Sequence, residues 1–355
     1  MTTVVVLGAT GEMGSRVCRL LLRWAPEVRV IGANRSGTGH RDFAVRVADV
    51  ADRAALDDLL TGVDLAVNAV GPYRYDPEPL ISACISARCH YADLADDLSF
   101  LARVERIARA QGARSAGVTL LPGCSTVPGL VQVLASQLRG AGAVERVTAW
   151  LSMGSRNPVS RGLLAGLLAP IGRPIERGVD ARTRRRAFRR IEHLVMSDGA
   201  CLGFGRYPAP FPLAGIRVGQ RRVPVGLRVG FDRWFLNRSL ALVAPVLGRL
   251  SPAIVERCTS LILPLARMVR PLGTLRGVLA VVAEDARGQE VDRIEVRARL
   301  AGLDVPALPV VWIARTLAAK GALPAAGVVG LDRVVSLEDA IVWLTEAGYQ
   351  VVNQG

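Results

Sequence analysis

Lysine is almost missing from this chain of 355 residues. Lys320 stands alone among 45 basic side chains, so the other 44 (45 minus 1) are arginine. Set against 31 acids they give a net charge of +14. The arginines are spread over the whole length rather than laid in a stripe between aromatics, which make up only 5%. No specific nucleic-acid partner is expected from such a pattern, although affinity for small anions and acidic surfaces stays open. Histidine is scarce too, with three in all. The six cysteines are Cys18, Cys84, Cys89, Cys124, Cys201 and Cys258, and none forms a C-x-x-C pair. Zinc-ligand spacing is therefore absent and no metal is expected. Reduced thiols in a cytoplasmic setting are the expectation. Long apolar runs are lacking as well. The longest uncharged stretch, Ser115 to Leu138, is broken by Pro122, Gly123, Pro128 and Gly129, which fits strand, turn and helix better than a membrane span. No targeting segment is expected before the first apolar run. Ser239–Gly248 and Cys258–Ala266 are apolar, bracketed by arginine, and too short to cross a bilayer. They could lie on one, so peripheral membrane contact through Arg238–Arg270 is an expectation.

What the chain does have is 50% hydrophobic residues, enough for two domains with separate cores. The first ~125 residues alternate short β-rich runs with amphipathic segments, the pattern of a parallel α/β sheet. Strands are predicted at Thr3–Leu7, Val28–Ile31, Phe43–Val47, Asp64–Ala69, His90–Leu94 and Thr119–Leu121. Beyond Gly129 the pattern changes. Val144–Met153 reads as a long strand, Ser155–Arg233 as irregular, and Arg238–Arg270 as helical but broken at Pro245, Pro252 and Pro264. Gly277–Glu284 and Glu290–Leu300 read as a hairpin. Pro309–Ala319 and Ser336–Glu346 read as helices. The implied fold is α/β, a doubly wound parallel sheet over residues 1–128. An inserted α+β domain takes 129–305, and 306–355 return as C-terminal helices to the first domain.

The informative motif is Gly8-Ala9-Thr10-Gly11-Glu12-Met13-Gly14, directly after a buried strand and opening a helix. Gly8 permits the tight turn, Gly11 lets the backbone approach a pyrophosphate, and Gly14 lets the helix pack closely on the sheet. Phosphates would then meet free N–H groups at the helix N-terminus. An NAD site needs an acid at the end of the second strand, to hold the ribose 2′-hydroxyl. Here that position reads Asn34-Arg35-Ser36. Arg35 can pair with a 2′-phosphate, and its neighbours can donate hydrogen bonds, so NADP is the expected cofactor. Asp49 and Val50 are candidates for the adenine edge. Asn68, Ala69, Val70 and Gly71, which end the fourth strand, complete the candidate cofactor set with Thr10, Glu12 and Met13. A Tyr-x-x-x-Lys dyad is excluded, since the residue four before Lys320 is Thr316.

The order of GATGEMG, then Asn68-x-x-Gly71-Pro72-Tyr73 with His90-Tyr91-Ala92-Asp93, then Pro122–Gly129 resembles the saccharopine dehydrogenase-like oxidoreductases. That resemblance covers about the first 130 residues. It implies a Rossmann domain with an inserted substrate domain and hydride transfer from a nicotinamide cofactor. It also implies that Asn68–Tyr73 border the nicotinamide ribose, while Asp93 and Gly123–Thr126 line the cleft. Tyr73, Asp93 and Cys124 are the catalytic candidates; His90 sits at the start of its strand, the wrong end. The resemblance implies reduction of a C=N or C=C bond, while the apolar second half points away from an amino-acid substrate, toward a small or acyl, lipid-like one. A non-catalytic NADPH-sensing module is the alternative. A homodimer is expected, and Thr183–His193 (TRRRAFRRIEH) is either a binding patch or a solvated arginine face.

Overall fold

A computed structural model describes residues 1–353 apart from 137, 141, 177–178, 181–184, 212–214 and 301. The chain divides into two compact units, Met1–Val133 with Asp304–Ala340, and Leu134–Leu303 with Ile341–Gly355.

In the first unit seven parallel strands make one sheet. They are β1 (Thr3–Leu7), β2 (Arg29–Asn34), β3 (Ala44–Val47), β4 (Leu65–Asn68), β5 (His90–Asp93), β6 (Thr119–Leu121) and β15 (Gly327–Val328), in the order β15-β6-β5-β4-β1-β2-β3. The order reverses at β1, so the crevice between β1 and β4 at their carboxyl ends is the natural ligand position. Val4, Val5, Val6, Leu65, Ala66 and Val67 are all fully buried, as a strand covered on both faces requires. The helices α1 (Glu12–Trp24), α2 (Arg53–Leu60), α3 (Glu78–Ser86) and α4 (Leu98–Ala110) connect the strands, and in the Pro122–Gly129 segment a helical turn over Thr126–Leu130 leads into α5 (Val131–Ser136). Asp52 and Asp97 cap α2 and α4 through their carboxylates. The parallel α/β expectation holds, and strand boundaries differ from those predicted by up to three residues. β2 runs on through Ala33 and Asn34 because their amide and carbonyl groups pair with the flanking strands.

The second unit is built on a mixed sheet. Its strands are β7 (Arg146–Met153), β8 (Ile191–Val195), β9 (Cys201–Tyr207), β12 (Val225–Phe231), β13 (Gly277–Glu284), β14 (Glu290–Ala298) and β16 (Gln350–Asn353). Their order is β16-β14-β13-β7-β12-β9-β8, with β7 and β12 the parallel pair. A short hairpin, β10 (Ile216–Val218) with β11 (Arg221–Val223), stands apart. The stretch expected to be irregular, Ser155–Arg233, thus holds four strands besides the edge strand β8, and the helix α6 (Arg161–Leu168). Its arginines conceal the pattern because they are partnered internally. Arg228 on β12 is buried and bonds Asp180 and Glu192, both at 2.6 Å. Residues 183–184 of the arginine run lie outside the described residues. The two helices α7 (Trp234–Leu247) and α8 (Pro252–Val269) part before Pro252, while Pro245 and Pro264 lie inside them without ending either. Pro252 sits in the first turn, where its missing N–H costs nothing, and Ser251 caps that turn.

The segment returning to the first unit supplies α9 (Leu308–Lys320), which packs on α1. Its turns are buried all round, including Leu308, Val310, Val311, Trp312, Ile313 and Leu317, the signature of a core helix. Asp304 accepts hydrogen bonds from Arg16 (2.5 Å) and Arg19 (3.1 Å) on α1. Gly321, at φ +68, ends α9 in the left-handed region. The last helix is α10 (Leu337–Glu346). Residues 306–355 are expected as helices alone, and here the structure adds two strands. β15 joins the first sheet and β16 the second, where Val352 lies opposite Glu295.

Candidate functional site

Parallel register brings Leu7 beside Ala33 and Asn68, and Asn68 beside Asp93. The glycine loop, the Asn34–Ser36 turn, the loop after Asn68 and the Pro122–Gly129 loop therefore leave one edge of the sheet. The glycine loop is sterically compelled. Gly8 has φ +78, and a Cβ on Gly14 would stand 2.1 Å from the Gly8 carbonyl oxygen. Gly11 and Thr10 are exposed. Among the described residues the N–H groups of Glu12, Met13 and Gly14 have no acceptor, and Gly11 supplies no side-chain cap. Open amides at the positive end of a helix of 13 residues suit a diphosphate. Glu12 would oppose an anion there, but its carboxylate is taken by Arg16 at 2.7 Å.

At the end of β2, Asn34 is occupied within the protein. It donates to the Thr38 carbonyl (3.0 Å) and to Thr10 Oγ1 (3.4 Å), tying this turn to the glycine loop. The Ser36 hydroxyl pairs with that of Thr38 at 2.7 Å. Arg35 is exposed and, among the described residues, has no acid partner. Asp49 accepts from the Ala51 N–H at 3.0 Å, and Val50 beside it is buried. These residues fit a dinucleotide: bare amides for the diphosphate, an unpaired guanidinium and no carboxylate at the ribose position.

The catalytic candidates fall into one buried network. Asn68 is fully buried and its amide donates to the Tyr91 hydroxyl at 3.0 Å. Its side-chain oxygen accepts from Tyr75 (2.9 Å) and the Val70 N–H (3.2 Å). Tyr91 in turn donates to Asp93 at 2.8 Å, and Asp93 also accepts from the N–H groups of Gly123 (2.8 Å) and Ala95 (2.9 Å). Burial raises the Asp93 carboxyl to about 6, against the pull of the two backbone donors and Tyr91. Tyr73 donates to the Asn68 backbone carbonyl at 3.1 Å and packs on Phe100. Burial, then the nearby Asp93 charge, push its phenol well above the usual range. Cys124 joins through its backbone, whose N–H donates to the Asp93 carbonyl at 2.6 Å. Its buried thiol donates to the Leu121 carbonyl at 3.3 Å, and burial followed by Asp93 raises it too. A thiol so placed has nothing to stabilise a thiolate. The network's chemistry is to lock three strand ends and the Gly123 loop in register, with Asp93 able to hold a proton up to about pH 6.

The sequence motifs do not mark Tyr75, and they mark Tyr91 only as part of His90–Asp93. The signal for both is present: Tyr91 shares a strand face with Asp93, and Tyr75 follows Tyr73 by two residues. His90 accepts from the Thr119 N–H at 3.0 Å and so pins β6 to β5 at the opposite edge. Among the described residues no group of three or more His, Cys, Asp and Glu could hold a metal.

Residues 4–121 match the family described as saccharopine dehydrogenase NADP binding domain. A probable mitochondrial saccharopine dehydrogenase-like oxidoreductase of Arabidopsis thaliana is 29% identical over 122 residues, covering 29% of this chain and 27% of that protein. A trans-acting enoyl reductase of Mycobacterium ulcerans is 29% identical over 137 residues, 35% of this chain and 33% of its own length. The alignments thus span only about a third or less of these relatives. Saccharopine dehydrogenase (L-Glu forming) from Saccharomyces cerevisiae superposes with a TM-score of 0.60 over 100% of both chains at 14% identity, which establishes a shared fold. Over residues 4–121 the chain thus resembles a saccharopine dehydrogenase-type nucleotide-binding domain, and in that stretch it is similar to the saccharopine dehydrogenase-like oxidoreductases.

Proposed function

We propose that this protein is an NADP(H)-dependent oxidoreductase that reduces a C=N or C=C bond of a small or lipid-like substrate. The carrying observation is the pairing of unoccupied Glu12–Gly14 amides with an unpartnered Arg35 where an NAD site would place an acid. A bound nicotinamide would supply the hydride. The chain's own contribution is to hold the diphosphate at α1, discriminate the 2′-phosphate through Arg35, and fix the β4, β5 and β6 ends that carry Ala69–Gly71 and Gly123–Thr126. The enoyl reductase relative supports C=C reduction, and the resemblance to saccharopine dehydrogenase-like oxidoreductases supports C=N reduction. The test is direct binding of NADPH and NADH followed by turnover on imine and enoyl panels. NADPH should bind more tightly, and its absorbance should fall with at least one substrate class.

A second reading is a nucleotide-binding module without turnover. It draws on the internal satisfaction of Tyr73, Asp93 and Cys124, whose polar atoms are all engaged by protein groups. Tight NADPH binding with no oxidation across every panel would select that reading.

A further inference from the structure

The second unit presents an apolar face that its own core leaves uncovered. On α8, Val255 and Thr259 turn inward and are buried. Ile254, Leu261, Leu265 and Met268 point the other way, at spacings that put them in one stripe. Leu261 is 80% exposed and Met268 76%. On α7, Asn237 and Ala244 are buried while Leu242 is 79% exposed, Val246 58%, and Trp234 at the helix start 74%. Side chains of this size are seldom left so bare on two consecutive helices.

The exposure is not slack packing. Asn237 donates to the carbonyls of Gly203 (2.9 Å) and Phe231 (3.0 Å) and accepts from the Phe231 N–H, which fixes the rotation of α7. The connection to α8 is pinned by backbone contact. A Cβ on Gly248 would lie 2.3 Å from the Gly172 oxygen, and the Arg173 guanidinium donates to the Leu250 carbonyl. Both helices are thus held with an apolar sector outward.

The charge on the same segment decides what covers it. From Arg233 to Arg276, both included, there are seven arginines and one acid, Glu256. Among the described residues Arg238, Arg249, Arg257 and Arg267 form no ion pair. Arg238 stands one turn before Leu242, and Arg257 one turn before Leu261, so cations flank the apolar sectors. A two-fold contact with a second copy would set this surplus of positive charge against itself. An acidic lipid surface would meet it with opposite charge and accept the apolar side chains as well. Neither helix is long and apolar enough to cross a membrane.

We infer that α7 and α8 form a docking surface for an anionic lipid membrane, lying in the interface with Leu242, Leu261, Leu265 and Met268 inserted and the arginines at headgroup level. This inference stands on the second unit alone and is independent of the cofactor reading. The full chain should sediment with vesicles of phosphatidylglycerol and phosphatidylcholine at low salt at least ~10-fold more strongly than with phosphatidylcholine alone. High salt should weaken that binding. The combined change Leu261→Asp, Leu265→Asp and Met268→Asp should abolish it, and Arg238→Gln with Arg257→Gln should reduce it by roughly tenfold. Leu261→Asp alone, at a site 80% exposed, should leave the unfolding midpoint unchanged and still lower vesicle binding. Absence of binding to anionic vesicles, or equal binding by wild type and the aspartate variants, overturns the inference. So does a dimer in light scattering that the aspartates convert to monomer without vesicle binding, which would assign the face to a second copy.

Discussion

Asp93→Asn tests the central claim about the buried network. In the folded protein burial lifts the Asp93 carboxyl from an ordinary 3.8 to about 6. Between those values the folded chain keeps a proton that the unfolded chain has released. Stability contributed by this group is therefore full below about pH 4, falls as the pH rises, and levels off above about pH 6. The interval corresponds to about 3 kcal/mol. Asparagine does not titrate, so the variant lacks this fall. It also loses one of the two acceptor oxygens that serve Tyr91, Ala95 and Gly123, a pH-independent cost of about 1–2 kcal/mol. The assay is urea unfolding of both proteins across this range, subtracting one profile from the other so that shared carboxylates cancel. The wild-type advantage should shrink, and the order of stability should invert, as the pH passes from about 4 to about 7. Parallel profiles across the window would refute the assignment of a raised, proton-holding Asp93.

Other substitutions probe separate parts of the molecule. Arg35→Ala should weaken NADPH by about 10- to 100-fold, as the loss of a charge-assisted hydrogen bond predicts, and leave NADH nearly unchanged in fluorescence titrations. Equal weakening of both would remove the 2′-phosphate role. Gly14→Ala places a methyl 2.1 Å from the Gly8 oxygen, so it should lower the unfolding midpoint and abolish nucleotide binding together. Tyr75→Phe strips one donor from buried Asn68 and should cost about 1 kcal/mol in chemical denaturation. Arg228→Met leaves Asp180 and Glu192 still paired with the partly exposed Arg206 and should cost about 1.5–3 kcal/mol, whereas changing an exposed arginine such as Arg257 should cost under about 0.5 kcal/mol.

The first half of the chain is legible because its signals are local. Thr3–Leu7 is apolar on both faces, and the three glycines mark a turn whose backbone tolerates nothing larger at Gly8 and Gly14. The second half is less legible because its strands break the alternation rule. β12 carries Arg228 in a buried position, and β14 sets Arg293, Glu295 and Arg297 along one face, where Glu295 has no exposure at all. Charges that normally mark solvent are here neutralised by one another, within β14 as well as between strands, and pairing across 36 residues, as between Arg228 and Glu192, leaves no trace in a local window. The candidate site divides in the same way. Gly8, Gly11, Gly14 and Arg35 follow from motif chemistry. That Tyr73, Asp93 and Cys124 spend their polar atoms on the protein itself depends on long-range partners such as Gly123, 30 residues from Asp93.

The route of the chain has a consequence for how it can be made and cut. It leaves the first unit near Val133, returns at Asp304, and leaves again at Ala340 to place β16 on the edge of the second sheet. Neither sheet can be finished until more than three hundred residues have been synthesised, since β15 and β16 lie at 327–328 and 350–353. A nascent chain released at the end of β14 would hold two open sheet edges at once, on β6 and on β14, each a row of unpaired backbone groups. No single cut separates the two halves, because each is built from two stretches of the chain. To stand alone, the nucleotide-binding half needs residues 304–340 rejoined to 1–133, and proteolysis near Ala340 should unzip the far edge of the other half while sparing the glycine loop.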